Sequence, residues 1–171
     1  MNDPGAAEAA GASGASGASR ASRASRAADV TLTWRGAFTS SEVNRLHAEA
    51  FETRVFSDAE WDWWGVANSH SLGWVVARTS RGSGDGALVG FVNVISDGAV
   101  HAWIQDVMVA ASARGQSIGT RLVRAAADAA RAAGCEWLHV DFENDLQPFY
   151  FGACGFKPTN GGLISLAEPG A

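Results

Sequence analysis

The segment Ala113–Thr120, ARGQSIGT, joins a strand-like run to a helix-like one and carries two glycines, Gly115 and Gly119. The first turn of a helix offers backbone N–H groups without intrahelical acceptors, together with a partial positive charge. Glycine lets the backbone come close to a ligand. A loop of this composition suits an anion, above all a phosphate. Two familiar phosphate loops fail on spacing. The P-loop needs GxxxxGK[ST], whereas Gly115 and Gly119 stand four apart and Thr120, not lysine, follows. The dinucleotide fingerprint GxGxxG is absent. On these residues alone, a phosphate loop and an ordinary strand-to-helix connection fit equally well.

Other reactive side chains lie on either side of that loop. Strand alternation puts His101, Trp103 and Gln105 on one face, and Asp106 on the other unless a bulge re-aims it. Of the three on the first face, only His101 titrates near neutrality. Trp61 and Trp64 are three apart, a helical spacing that lines one face. Beside Trp103 they would frame an apolar or cation-binding pocket, or simply pack in the core. Cys135 and Cys154 are distant and form no CxxC pair, so neither a zinc site nor a disulfide framework is indicated. A reduced, cytoplasmic compartment fits this usage.

The elements that must position these groups follow from pattern. VTLTWRGAF (Val30–Phe38) alternates and is β-branched, hence a strand. TSSE then supplies a capping box, Thr39 with Glu42, for a helix running to about Phe51. SDAE repeats the signal, and Ser57 with Glu60 is expected to open a second helix bearing Trp61, Trp63 and Trp64. LGWVVARTS and ALVGFVNVIS read as strands joined by the hairpin-like RGSGDG. AVHAWIQDVMV is the next strand, and GTRLVRAAADAARAAG is an alanine-rich helix that Gly134 can end. CEWLHVDF is a further strand, a short helix follows around Pro148–Ala153, and GLISL offers a last strand. The order β-α-α-β-β-β-α-β-α-β predicts an α/β domain, a mixed sheet with helices on its faces, over residues 30–171.

With 171 residues, 47% hydrophobic and 18% charged, the chain can build one domain with a substantial core. Its formal net charge of −5 argues against a nucleic-acid partner. No apolar run approaches the length of a membrane span, so no membrane role is expected. Residues 1–29 differ in kind. GASGASGASRASRASRA has almost nothing to bury and predicts a disordered low-complexity tail. Its Arg, Ser and Ala content also fits a transit peptide, but no large apolar residue supplies an amphipathic face.

Taken together, the loop and a second segment resemble the GCN5-related N-acetyltransferase (GNAT) superfamily. That family's signature is [QR]-x-x-G-x-[GA] between its fourth strand and third helix. Here Arg114 matches the first position, Gly119 the last, Ser117 stands at the usual middle glycine, and Ile118 matches the apolar residue that anchors the helix. Downstream, ENDLQPFYFGACGFKPT is similar to the family's N-x-x-A-x-x-[LF]-Y-x-x-x-G-F, with Asn144, Gly155 and Phe156 in place. Counting from either end puts the tyrosine position on Phe151, one residue after Tyr150. Either the helix absorbs an extra residue there, or the Tyr150 hydroxyl points elsewhere. The resemblance covers roughly Leu72–Leu166, and more loosely the chain from Val30.

The resemblance implies a GNAT-like acyl-CoA N-acyltransferase fold with splayed central strands, and acetyl-CoA as co-substrate, with no metal. It implies pyrophosphate binding by Arg114, Gly115, Gln116, Ser117, Ile118, Gly119 and Thr120, with Asn144 also on the cofactor. The pantetheine arm would pair with backbone at Val107, Met108 and Val109, whose N–H groups also polarise the thioester. An amine then attacks directly, Tyr150 protonates the leaving thiolate, and His101 is the candidate base. Neither cysteine is needed as a nucleophile. Asp141 and Glu143 would attract a cationic amine, or form a solvated strand edge. The implied partner is a small-molecule or peptide amine, and the fold allows a homodimer through its last strands. Two other readings stand beside acetyl transfer: a non-catalytic acyl-CoA-binding or regulatory domain, and an acyltransferase for longer acyl chains.

Overall fold

A computed structural model describes residues 29–80, 86–164 and 166. The expected tail, apart from Asp29, and most of the RGSGDG connection lie outside the described residues. The chain divides into two compact units after Val140.

The first unit is built on a five-stranded sheet of order β1-β2-β3-β4-β5. Its strands are β1 (Val30–Trp34), β2 (Gly73–Thr79), β3 (Leu88–Ser96), β4 (His101–Val109) and β5 (Trp137–His139). The first four run antiparallel to their neighbours, and β5 joins β4 in parallel. Helices α1 (Ser40–Phe51), α2 (Trp63–His70) and α3 (Ile118–Ala132) cover it. The β-branched runs of β2 and β3 are buried over most of their length because helices lie on both faces. On one face Phe91 meets Phe38 and Trp63 edge-on, at centroid distances of 5.3 and 5.9 Å. On the other, α3 lays down a buried stripe of Ile118, Leu122, Val123, Ala126 and Ala130. Gly90 makes room for it: a Cβ there would stand 2.9 Å from Leu122 Cδ1.

Local signals decide where α1 and α2 begin. The Thr39–Glu42 capping box forms as expected, with Glu42 N donating to Thr39 Oγ1 at 3.2 Å and Thr39 N to Glu42 Oε2 at 2.9 Å. Glu42 also pairs with Arg78 of β2 at 2.8 Å, tying the helix start to the sheet. The Arg78 guanidinium, ahead of the opposing cost of burial, holds the Glu42 carboxyl below its usual range. Ser57 and Glu60 also find each other, with Ser57 N to Glu60 Oε2 at 2.9 Å, but make only a turn. The second helix starts later, at Trp63. Asp62 is its cap, accepting from Gly65 N at 3.0 Å and from Ser40 Oγ of α1 at 2.9 Å. The long-range partner on α1 fixes the start that the sequence pattern placed too early.

Two features of β4 shape the site. Phe91 pairs with Met108 and Asn93 with Gln105, so two steps on β3 face three on β4. That is a β-bulge, and Asp106 within it adopts φ 54°. The pairing of β4 with β5 covers only His101↔Trp137, Ala102↔Leu138 and Trp103↔His139. From Ile104 onward, β4 has no β5 partner among the described residues. This is the expected splay of the central strands.

The second unit, described by itself, holds a 3-10 turn at Asn144–Leu146 and a π-helical segment at Pro148–Ala153. The expected last strand is absent among the described residues. Leu163, Ile164 and Leu166 are almost fully exposed and belong to no ladder.

Candidate active site

The loop between β4 and α3 begins with a 3-10 turn at Ala111–Ala113. Ala111 N donates to Glu49 Oε1 of α1 at 2.6 Å, which pins the loop's start. Arg114 Nε returns to Val109 O at 3.2 Å, and Gln116 Nε2 to Ser112 O at 3.4 Å. Gly115 and Ser117 are both left-handed, at φ 71° and 58°. Left-handed residues in a short loop turn successive N–H groups toward one concave side, a nest suited to an anion. Ser117 is the N-cap of α3, yet its side chain caps nothing. Ile118 is buried and fixes the helix start on the sheet, while Gly119 and Thr120 are half-buried in its first turn. The first N–H groups of α3 therefore point out of a loop whose backbone is set by glycine and one strained serine.

The expected pantetheine residues lie on the free length of β4. Met108 is fully buried, and Val107 and Val109 are half-buried. Ahead of them stands Asp106, within the bulge. Burial pushes its carboxyl above the usual range, and the nearby His47 of α1 partly offsets this. His47 is itself buried, with ring centroids of Phe51, Trp61 and Trp63 at 4.7, 5.0 and 5.7 Å. Thr53 Oγ1 lies 3.5 Å from its Nδ1. The bulge is the condition under which the sequence reading allowed Asp106 to be re-aimed, and nothing in the sequence pointed to His47.

His101 stands at the other end of β4. Its Nδ1 lies 2.8 Å from His139 Nε2 on β5. Trp103 stacks on His139 at 4.7 Å. Five residues separate His101 from Asp106, about 16 Å of extended strand. Trp61 and Trp64 follow the packing alternative and meet aromatic rings other than Trp103. Trp61 precedes α2 and stacks on Trp63 at 5.1 Å. Trp64 turns to Phe38 and Trp74, at 5.3 and 5.9 Å. Trp63 is core, donating from Nε1 to Asn44 Oδ1 at 3.0 Å.

In the second unit Tyr150 is buried, stacked on Phe142 at 4.5 Å and edge-on to Phe149 and Phe156 at 4.8 and 5.9 Å. Burial, then the neighbouring Cys154, pushes its hydroxyl up to about 12. Cys154 N donates to Phe149 O at 2.9 Å, a five-residue step. That step is a π turn, and it falls where Tyr150 runs one position early. Asn144 is exposed and accepts from Gln147 Nε2 at 3.3 Å. Asp141 and Glu143 are exposed, and neither cysteine is in a disulfide. Among the described residues no group of three or more His, Cys, Asp or Glu side chains could hold a metal, and no helix is long and apolar enough to cross a membrane.

A splayed β4, a bulge and an N–H-lined loop at the start of a helix form one recurring arrangement, and the family model for the acetyltransferase (GNAT) family matches residues 35–156. The chain belongs to the GNAT acetyltransferase family. A curated relative from Oryza sativa subsp. japonica, described as "Probable glucosamine 6-phosphate N-acetyltransferase 2", is 40% identical over 53 residues, 31% of each chain. The matched stretch thus spans about a third of that relative. Among solved structures, a Trypanosoma brucei acetyltransferase superposes with a TM-score of 0.65 at 21% identity, over 80% of this chain and 99% of that one. An aminoglycoside N-acetyltransferase in complex with CoA gives 0.61 at 15% identity, over 82% and 95%. At such identities these two likenesses establish the fold. This GNAT chain carries serine where the loop usually has its middle glycine, and it keeps the loop by forcing that serine left-handed.

Proposed function

We propose that this GNAT protein is an acetyl-CoA-dependent N-acetyltransferase acting on a primary amine, carried by a small molecule or a peptide. The observation that carries the reading is the conjunction of the N–H-bearing loop at the start of α3 with the unpaired length of β4. Acetyl-CoA supplies the activated acetyl group. The first N–H groups of α3, with Gly115 and Ser117 setting the nest, bind its pyrophosphate. Backbone at Val107, Met108 and Val109 takes the pantetheine arm as an added strand and polarises the thioester carbonyl.

Asp106 is the base in this proposal, in preference to His101. It sits at the bulge where β4 loses its partner, its carboxylate is held in a poorly solvated place, and a buried carboxylate is the stronger proton acceptor. His101 is about five residues upstream and engaged with His139. The attacking nitrogen forms the new C–N bond, the C–S bond breaks, and Asp106 takes the nitrogen's proton. Tyr150 keeps the role that the GNAT resemblance implies for it, donating its hydroxyl proton to the departing thiolate. Its elevated pKa keeps it protonated throughout the neutral range. The deciding experiment is thiol release from acetyl-CoA with mixed amines, with mass spectrometry of the amine. A gain of one acetyl group on the amine supports the reading. CoA binding without any turnover transfers it to a non-catalytic acyl-CoA-binding domain.

A further inference from the structure

Two buried asparagines of opposite character lie one on α1 and one on β3. Asn44 of α1 is satisfied: its Nδ2 donates to Asp58 Oδ1 at 3.3 Å and Trp61 O at 3.1 Å, and its Oδ1 accepts from Trp63 Nε1 at 3.0 Å. Asn93 of β3 is 5% exposed, and its Oδ1 accepts from nothing. Buried polar atoms are nearly always partnered, because an unpartnered one keeps the cost of leaving water with no return. An apolar residue of the same size would serve the fold better, as Val92 and Val94 do on either side.

The place of this acceptor is fixed by register. Asn93 is directly opposite Gln105, and Asp106 is the next residue along β4. Asn93 shares a face with Phe91, two residues away, which packs on Trp63 and Phe38 beneath α1 and α2. Asp106 lies within electrostatic reach of His47 on α1, the helix over that face. Directly opposed residues in an antiparallel pair have Cα atoms about 4.5–5.5 Å apart. Two acceptors bonded to one tetrahedral nitrogen are separated by about 4.7 Å, given N–H···O lengths near 2.9 Å. The register puts Asn93 and Asp106 on adjoining, not opposed, positions of β3 and β4.

We propose that Asn93 is a substrate-positioning residue: its Oδ1 accepts one N–H of the attacking amine while Asp106 takes another, so the site selects primary over secondary amines. This rests on the amine-acetylation reading above. A neutral primary amine has two N–H bonds, one for each oxygen, and its lone pair stays free to attack. A secondary amine has one, and must leave either Asn93 or Asp106 unmet.

The test compares the wild type with Asn93→Leu and Asn93→Ser, using propylamine and N-methylpropylamine as probes. Thiol release gives KM and kcat, calorimetry gives CoA affinity, and thermal unfolding is followed without ligand. Asn93→Leu should raise the ligand-free Tm, because the unpartnered acceptor is gone. It should raise the propylamine KM about tenfold, the loss of about one hydrogen bond. The preference for propylamine over its N-methyl counterpart should fall toward unity, with CoA affinity unchanged. If the leucine variant does not fold, Asn93→Ser, too short to reach the nitrogen, should show the same rise in KM and loss of preference. Unchanged KM and preference in a folded variant, beside an active wild type, overturn the inference alone. A lowered Tm with intact kinetics gives Asn93 a purely structural role and overturns it too. A wild type that binds CoA but acetylates neither probe nor any other amine overturns the reading of function, and the inference with it.

Discussion

Ser117 offers a perturbation whose size can be worked from backbone geometry. It holds φ 58° and ψ 18° as the N-cap of α3, and its side chain makes no capping bond. A left-handed conformation costs an L-residue about 1–2 kcal/mol relative to the right-handed region. Ser117→Gly removes that cost and loses no hydrogen bond. The glycine also frees the unfolded chain, which takes back about 0.4–1 kcal/mol. The net expectation is a gain of about 0.5–1 kcal/mol, or a Tm higher by about 1–4 °C. Ser117→Val goes the other way, since a β-branched residue is poorly tolerated at positive φ, and should destabilise by about 1–3 kcal/mol. Thermal unfolding of the ligand-free chain, followed by circular dichroism, reads both. Calorimetry with CoA reads the loop directly. Glycine adopts the same left-handed backbone, so Ser117→Gly should bind CoA within about threefold of the wild type, under 1 kcal/mol. Valine, pushing residue 117 out of that region, re-aims Ile118 N–H and should weaken binding by at least about tenfold. A valine variant that matches the wild type in both stability and affinity would refute the left-handed loop. So would a glycine variant that loses stability.

Other perturbations address the base, the acid and the packing. Asp106→Asn should abolish most turnover and yet raise Tm at neutral pH. The carboxyl's folded pKa is raised, so its stabilising contribution is present below its ordinary value of 3.8 and lost as pH rises through the elevated one. The Tm gain of the variant should therefore vanish when both proteins are measured near pH 3. Tyr150→Phe should lower turnover about a hundredfold, the usual share of a general acid, and leave CoA affinity unchanged in calorimetry. Gly90→Val brings a Cβ to 2.9 Å from Leu122 Cδ1 and 3.2 Å from Ala77 Cβ. It should cost about 1–3 kcal/mol, seen as a lower urea midpoint with an unchanged slope.

What the sequence disclosed about this chain was local. The Thr39–Glu42 box is a three-residue signal, and it forms because both partners are on the same turn. The loop before α3 is legible for the same reason, as is the apolar stripe from Ile118 to Ala130. Distant partners decided the rest. Ser57 and Glu60 form their pair, but α2 starts at Trp63 because Asp62 finds Ser40 on another helix. Asp106 falls in a bulge because β3 pairs across an extra residue, and no pattern within β4 announces where that residue falls. Tyr150 sits one position off the expected spacing, and the offset became a π turn, visible only once the i→i+5 bond is drawn. GLISL has the composition of a strand, but composition supplies no edge for it to pair with.

The account depends most on the claim that the loop from Arg114 to Thr120 holds the pyrophosphate of acetyl-CoA. Calorimetric titration of the full chain with acetyl-CoA, with CoA beside it, tests this most directly. Saturable binding of both at one site per chain, weakened in Ser117→Val and kept in Ser117→Gly, is the predicted result. Absence of binding at high micromolar cofactor would contradict the claim, and equal binding by all three proteins would move the pyrophosphate away from this loop.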